Sequence, residues 1–488
     1  MERTAAIVLA AGRGTRMKSR TPKVLHCLLG KPMLTYVVEA LRGAGFSEIY
    51  VVVGEAGEEV RRALGPSVSY VEQGEPLGTG HATAKALEVL PEGIEHVFVV
   101  NGDMPLLTAE ALRELRDVHA RTRAAATIAA TYLEEPRGYG RIVRSPDGSF
   151  LRIVEEKDAT PEEREIREVN AGLYAFAVEP LRRAVPRLRR ENAQGEYYLP
   201  DVLPLFASEG LPVSVVVLPP AVVAGVNDRY ELARAEETLR RAILERHMRA
   251  GVTVEMPDTV LVGPDVVLEE DVVLRAGTRL FGRTVVRRGA EIGPQTELTD
   301  VEVWEEARVL YTVAEGASIG PRATVGPFAR LRPGTALGPG VKVGNFVEVK
   351  NSRIGEGSKL PHLSYVGDAF VGRDVNIASG VITVNYDGLR KYETVIEDGA
   401  FVGCNVNLVA PVRVGKRAYI AAGSTITEDV PAGALAIARS RQVVKEGYVP
   451  TLFAKREKLV APPQDPRPAD PRPDEGGAST PGADSRPS

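Results

Sequence analysis

Cysteine is nearly missing: Cys27 and Cys404 are the only two in 488 residues. Two thiols supply neither a disulfide framework nor a cysteine-based zinc site, and their scarcity suits a reducing compartment. An excess of basic charge is also missing. The net charge is −4, which excludes the global basic bias of a nucleic-acid-binding protein. No apolar run approaches the ~18 residues that a membrane span needs. The opening MERTAAIVLAAGRG holds one short apolar run and no small-residue cleavage site, so it reads as a buried strand, not a signal peptide. The expectation is a soluble, cytoplasmic protein with neither nucleic acid nor membrane as partner.

What is present is length and turns. A chain of this size exceeds one ordinary core, so two or three domains are expected. The 44% hydrophobic and 26% charged residues are globular proportions, and 48 Gly with 35 Pro favour a turn-rich architecture in part of the chain.

Four zones follow, with boundaries at 1–226, 227–250, 251–446 and 447–488. In the first, Ala5–Leu9, Ile49–Val53, His96–Val100 and Ala126–Ala130 read as buried strands. Met33–Ala44 and Thr108–Ala120 between them have helical spacing. Such alternation predicts an α/β, Rossmann-like domain with a mostly parallel sheet. Residues 228–250 predict one charged linker helix, with Asp228 as its N-cap, Gly251 past its end, and a narrow stripe of Leu232, Ala235, Leu239 and Ile243.

From Val254 the period becomes six. Val254, Val260, Val266 and Val272 form one series; Ile319, Val325, Leu331, Leu337, Val343 and Val349 a second; Val402, Leu408, Val414, Ile420 and Ile426 a third. Neither a strand nor a helix has that period. A coil with three short faces does, each aliphatic side chain pointing inward, so a left-handed parallel β-helix of about 11 coils and about 18 residues per coil is predicted. Val349 to Ile354 and Val366 to Val371 are five-residue slips, and Asn385–Thr394 reads as a loop pushed out of the solenoid. Residues 461–488 are dense in Pro, Asp and Ser without apolar periodicity, and are expected to be disordered.

After the first strand comes Leu9-Ala10-Ala11-Gly12-Arg13-Gly14-Thr15-Arg16-Met17. Small residues at a strand-to-helix turn let backbone N–H groups approach phosphate oxygens, and Arg13, Arg16 and Lys23 add positive charge. Neither the dinucleotide fingerprint nor a P-loop is completed. Gly78-Thr79-Gly80-His81 is a second loop of this kind. Asp103 follows a strand in Asn101-Gly102-Asp103, beyond the carboxyl end where open α/β sheets bind ligands, and a carboxylate there suits the Mg²⁺ that accompanies nucleoside triphosphates.

In the solenoid, Arg332, Lys350, His362, Tyr365, Asn376, Asn385, Tyr386 and Arg439 depart from the hexad pattern. His362 is the only histidine after the linker helix. An imidazole titrates near operating pH, which makes His362 the best general-base candidate, against the alternative of a hydrogen-bonded surface histidine.

LAAGRGTRM, PKVLH, QGEPLGTGHA, NGDMP, GYGRI, VEEKDAT, NAGLY, NAQGEYY and GVNDR occur in the order that resembles bacterial N-acetylglucosamine-1-phosphate uridylyltransferases. GPFARLRPG, GNFVEVKNS, HLSYVGDA and TVNYDG look like the glucosamine-1-phosphate N-acetyltransferase domain of that bifunctional family. The resemblance implies a UTP and UDP-N-acetylglucosamine site at Leu9, Ala10, Ala11, Gly12, Lys23, Gln73, Gly78, Thr79, Asn101, Gly102, Asp103, Gly140, Glu155, Asn170 and Asn227. Lys23 and Arg13 would meet phosphate charge, and Asp103 and Asn227 would hold Mg²⁺. It further implies His362 as general base, and Arg332, Lys350, Tyr365 and Asn376 on glucosamine 1-phosphate. Ser379, Asn385, Tyr386, Cys404, Ala422 and Arg439 would contact acetyl-CoA. Three residues depart from the family pattern: Asn101 where an aromatic is usual, Ser379 within NIASGVI, and Cys404 where Ser is frequent.

The same resemblance implies a homotrimer and a two-step conversion, acetylation of glucosamine 1-phosphate followed by transfer of UMP to N-acetylglucosamine 1-phosphate. Two rival readings stand beside it: a monofunctional nucleotidylyltransferase whose β-helix is structural or regulatory, and a non-catalytic subunit similar to the exchange factors of translation initiation.

Overall fold

The computed structural model describes residues 3–12 and 14–460, which fall into two compact units, Met1–Ala438 and Arg439–Ser488. The sequence-based expectations for Arg13 and for the 461–488 tail lie outside the described residues. In the second unit the principal element is the helix Tyr448–Val460, with Lys445 over the Tyr448 ring at 5.3 Å.

The first unit begins with an α/β sheet. Its strands run in the order Val213–Val217, Ala126–Tyr132, Glu168–Ala177, His96–Asn101, Thr4–Leu9, Glu48–Val53, Ser69–Glu72. The β-branched runs of these strands are buried on both faces, as a sheet covered by helices requires. Along this order all neighbours are parallel except Glu168–Ala177, which runs antiparallel to the strands on either side. Two further strands of the same sheet, Arg141–Arg144 and Phe150–Val154, also pair antiparallel, the first with Glu168–Ala177. Thr4–Leu9 lies between Glu48–Val53 and His96–Asn101. The chain order reverses there, and the crevice beyond the carboxyl ends of these strands is the ligand site of open α/β sheets.

The linker helix is Arg229–Arg249. Asp228 caps it by accepting from Glu231 N at 2.9 Å. Its stripe serves two cores in turn. Ala235 packs with Leu28, Met33 and Tyr36 of the α/β part, while Ile243 and Leu244 close the end of the β-helix core.

The hexad region forms three parallel sheets of 11, 10 and 9 strands, each strand two to four residues long, in the β-helix expected. Leu261 pairs with Arg279 and Arg279 with Glu297, the 18-residue coil of the hexad arithmetic. Where five-residue steps occur the coil shortens, as in Glu302 with Ser318. The Val254 series departs from the expectation in register at its start, while Val260, Val266 and Val272 are buried in the core as expected. The 3-10 turn Pro257–Thr259 lengthens the first coil, so Val254 aligns with Leu274, whereas Val260, Val266 and Val272 enter the core two residues before the equally buried strand positions Val262, Leu268 and Leu274. The outward loop is also shorter than expected: Asn385 is buried, and Thr394 is fully buried at the start of a strand, leaving 386–393 outside.

A short hairpin, Cys27–Leu28 with Lys31–Pro32, joins the two parts. Its tip residue Leu29 is buried in the β-helix core, and Lys31 Nζ reaches Glu39 and, on the β-helix, Asp265, each at 2.8 Å.

Candidate functional site

The crevice beyond Thr4–Leu9 and His96–Asn101 holds two adjoining cavities. The first, about 450 Å³, is lined by Leu9, Ala11, Gly12, Lys23, Gln73, Gly78, Thr79, Asn101 and Asp103. The second, about 280 Å³, is lined by Gly140, Glu155, Asn170 and Asn227 and shares Leu9, Thr79, Asn101 and Asp103 with the first. Ala10 and Gly102 stand behind the wall: Ala10 N donates to Val52 O and Gly102 N to Leu9 O, each at 2.9 Å. They tie the strand ends together.

Local chemistry explains the placement. Gly78 has φ +109°, and a Cβ there would collide with the Tyr197 carbonyl, so only glycine lets the helix Thr79–Val89 start at the cavity wall. Gln73 Nε2 donates to Gly78 O at 3.1 Å, and Thr79 Oγ1 accepts from Leu199 N at 3.0 Å. Val24, buried beside Lys23, pins the turn Lys23–Leu25.

At the junction of the two cavities, Lys23 Nζ donates to Asp103 Oδ2 at 2.5 Å and to Asn227 Oδ1 at 2.8 Å. Arg16 Nη2 also donates to Asn227 Oδ1, at 2.9 Å. Asp103 and Asn227 are 124 positions apart in chain order but adjacent in space, because Val226 N donates to Asp103 O at 2.9 Å and Asn227 N to Glu231 Oε2 at 2.6 Å. Two side-chain oxygens therefore converge on one cation, the Lys23 ammonium. A carboxylate and an amide oxygen, leaving other positions to phosphates, form a donor set that suits Mg²⁺. Among the described residues no cluster of three or more His, Cys, Asp or Glu offers a softer metal a site.

Behind the loop that lines the second cavity stands a residue that the sequence motifs did not single out, Arg141. Arg141 is buried, donates to Tyr139 O, and pairs with Glu156 at 2.6 Å, which clamps the Gly138–Gly140 loop. Asn170 Nδ2 donates to Tyr174 OH at 2.6 Å. Burial, with Asp201 and Asp158 nearby, pushes the Glu155 carboxyl above its ordinary range.

On the β-helix, strand register sorts the predicted residues. Arg332 N donates to Val349 O and Lys350 follows Val349, so Arg332 and Lys350 stand on neighbouring coils. Lys350 pairs with Gly367, and the missing side chain at 367 makes room for the Tyr365 ring. A cavity of about 570 Å³ lies between Lys350, Asn351, Asp368, Lys391, Tyr392 and Glu393. Asp368, unnoticed in the sequence, is its hub: it accepts from Asn351 and Asn385 and sits 3.7 Å from Lys350. Burial works against its charge, but those two amides and Lys350 hold its carboxyl below the usual value. Arg332 pairs with Glu348 at 3.0 Å.

One corner of successive coils carries His362, Ser379, Cys404 and Ala422, each two residues beyond the aligned inward positions Leu360, Ile377, Val402 and Ile420. Cys404 is exposed there. Asn376 lies beside Lys359 on the adjoining sheet, and Tyr386 bridges to Lys391 within the outward loop. Arg439 belongs to the second unit.

The family of MobA-like NTP transferase domains matches residues 6–250, and the bacterial transferase hexapeptide family (six repeats) matches residues 393–428. Three similar proteins share one name, bifunctional protein GlmU. That of Caldanaerobacter subterraneus is 48% identical over 450 residues, covering 92% of this chain and 98% of its own. That of Carboxydothermus hydrogenoformans is 51% identical over 444 residues, 91% and 99%. That of Brevibacillus brevis is 47% identical over 459 residues, 94% and 100%.

Proposed function

The chain belongs to the bifunctional GlmU family, and from that premise we propose that it makes UDP-N-acetylglucosamine in two steps at two separate sites. It is a bifunctional transferase, a nucleotidyltransferase in its α/β part and an acyltransferase in its hexapeptide part. We assign residues 1–226 to uridylyl transfer, 227–250 to the linker, 251–446 to acetyl transfer, and 447–488 to a C-terminal extension.

In the first step His362 removes a proton from the amine of glucosamine 1-phosphate, the nitrogen attacks the thioester carbonyl of acetyl-CoA, and the coenzyme leaves as the thiol. Arg332, Lys350, Tyr365 and Asn376 hold the sugar phosphate; Ser379, Asn385, Tyr386, Cys404, Ala422 and Arg439 contact the acyl carrier. In the second step an oxygen of the N-acetylglucosamine 1-phosphate attacks the α-phosphorus of UTP and pyrophosphate leaves. The phosphate is already nucleophilic, so the site works by alignment and charge. Ala11, Gly12, Gln73 and Thr79 receive the uridine half, Gly140, Glu155 and Asn170 the sugar, and Lys23 meets the phosphates. Mg²⁺, when bound, would be held by Asp103 and Asn227 and would neutralise phosphate charge.

The observation that carries this reading is the meeting of Lys23, Asp103 and Asn227 at the junction of the two cavities. A homotrimer in the cytoplasm is part of the same proposal. The exposed corner residues Tyr311, Phe328, Phe346 and Leu363, with Phe328 stacked on Phe346 at 5.5 Å, give such an assembly an apolar contact surface. No helix among the described residues is long and apolar enough to cross a membrane.

One assay tests the whole: glucosamine 1-phosphate, acetyl-CoA, UTP and Mg²⁺ together yield UDP-N-acetylglucosamine. Asp103→Ala abolishes uridylyl transfer and spares acetyl transfer, whereas His362→Ala does the converse. Near-normal turnover of the corresponding step in either variant refutes that site.

A further inference from the structure

A general base acts through one nitrogen of its ring, so something must decide which nitrogen carries the proton at rest. His362 Nδ1 lies 2.7 Å from Asn345 Oδ1 on the preceding coil, and the two residues are register partners in parallel strands. The amide oxygen can only accept a hydrogen bond, so Nδ1 carries the proton and Nε2 presents its lone pair. We propose that Asn345 is the positioning residue of the acetyltransferase site, holding the His362 ring in the tautomer that removes the amine proton at Nε2. The inference rests on the reading of His362 as that base.

Two further hydrogen bonds and one glycine make the pairing a feature of the backbone. Leu363 N donates to Asn345 O at 3.0 Å, and the Ser364 hydroxyl donates to His362 O at 2.9 Å. A Cβ at residue 344 would fall inside the van der Waals surface of Pro361 O, so glycine at 344 lets the two coils close to the spacing the side-chain contact needs. The Nδ1–H donor survives protonation of Nε2, so the contact is the same before and after proton transfer. The ring therefore does not turn when it collects the proton, nor when it returns that proton to the departing thiolate.

Asn345 is neutral, which has its own consequence. Among the described residues no charged side chain pairs with His362. The ionisable groups on neighbouring strands are Lys342 and Lys359 of the same sheet, and Glu348, paired with Arg332, Lys350, which lies near Asp368, and Tyr365 of the next. A carboxylate in place of the amide would stabilise the imidazolium and delay formation of the neutral base.

The test follows acetyl transfer from acetyl-CoA to glucosamine 1-phosphate across pH, with uridylyl transfer by the same chain as the folding control. Asn345→Ala lowers kcat about ten- to hundredfold, part of what a positioned base contributes, with KM for both substrates unchanged. Asn345→Asp recovers most of that rate at high pH and moves the acid limb of kcat/KM upward by about one pH unit. Rates within twofold of wild type for Asn345→Ala, or an unmoved limb for Asn345→Asp, would overturn the inference. Full acetyl transfer by His362→Ala would instead overturn the reading beneath it.

Discussion

At the scale of single residues, the three groups that meet at the junction of the two cavities were legible because they sit in short strings: Lys23 in PKVLH, Asp103 in NGDMP and Asn227 in GVNDR. Asn345 was not legible in the same way. Its partnership with His362 depends on a coil of 17 residues where the hexad arithmetic suggests 18, and a one-residue error assigns the wrong neighbour. Buried polar pairs are hidden for a related reason, since nothing local announces them. His119 is one such group: its Nδ1 meets Thr127 Oγ1 at 2.9 Å and its Nε2 meets His96 at 3.0 Å. Burial, and then His96, push His119 down to about 4. Below the unfolded value near 6.5 the unfolded chain binds a proton that the folded one refuses. Stability is therefore complete above pH 6.5 and falls as pH drops toward 4, by up to about 3 kcal/mol from this residue. Urea unfolding of the chain between pH 4 and 7.5 should show that slope, and His119→Gln should flatten it. An equal slope in the variant would assign the acid sensitivity elsewhere.

At the scale of elements, periodicity was informative wherever one face of an element repeats against a core. The linker helix and the hexads of the second and third series declared themselves so. Two features did not. The direction of Glu168–Ala177 is invisible, because an antiparallel strand buried on both faces has the composition of a parallel one. The Cys27–Pro32 hairpin is too short for any alternation to register. The linker helix nevertheless has a role beyond connection, since its first turn fixes Asn227. Asp228 caps Glu231 N, and the Glu231 carboxylate in turn accepts from Asn227 N. Asp228→Ala should cost about 1 kcal/mol of helix stability. It should also raise the Mg²⁺ concentration needed for half-maximal uridylyl transfer about fivefold, the same energy expressed as an affinity. Asp228→Ser keeps a capping oxygen and should restore both. An unchanged Mg²⁺ requirement in Asp228→Ala would mean that Asn227 is held without the helix.

At the scale of the whole molecule, two activities in one chain raise the question of whether the parts stand independently. The packing argues against it for the α/β part. Lys23 is four residues from the start of a hairpin whose tip, Leu29, is buried in the β-helix core. The hairpin is further held by Lys31 between Glu39 and Asp265, and by Leu29 N donating to Glu236 Oε2 at 2.9 Å. Cores joined in this way unfold together, because opening one exposes apolar surface of the other. Calorimetry of the full chain should therefore show a single coupled transition for the α/β part and the coils it rests on. Leu29→Ala removes about 2–3 kcal/mol of that coupling. It should split off an earlier transition about 4–12 °C lower, with uridylyl transfer lost at that temperature and acetyl transfer retained. Two independent transitions already present in the unmodified chain would show that the hairpin rests on the β-helix without binding the two cores together. The β-helix would then be a neighbour of the uridylyl site, with no part in supporting the segment that carries Lys23.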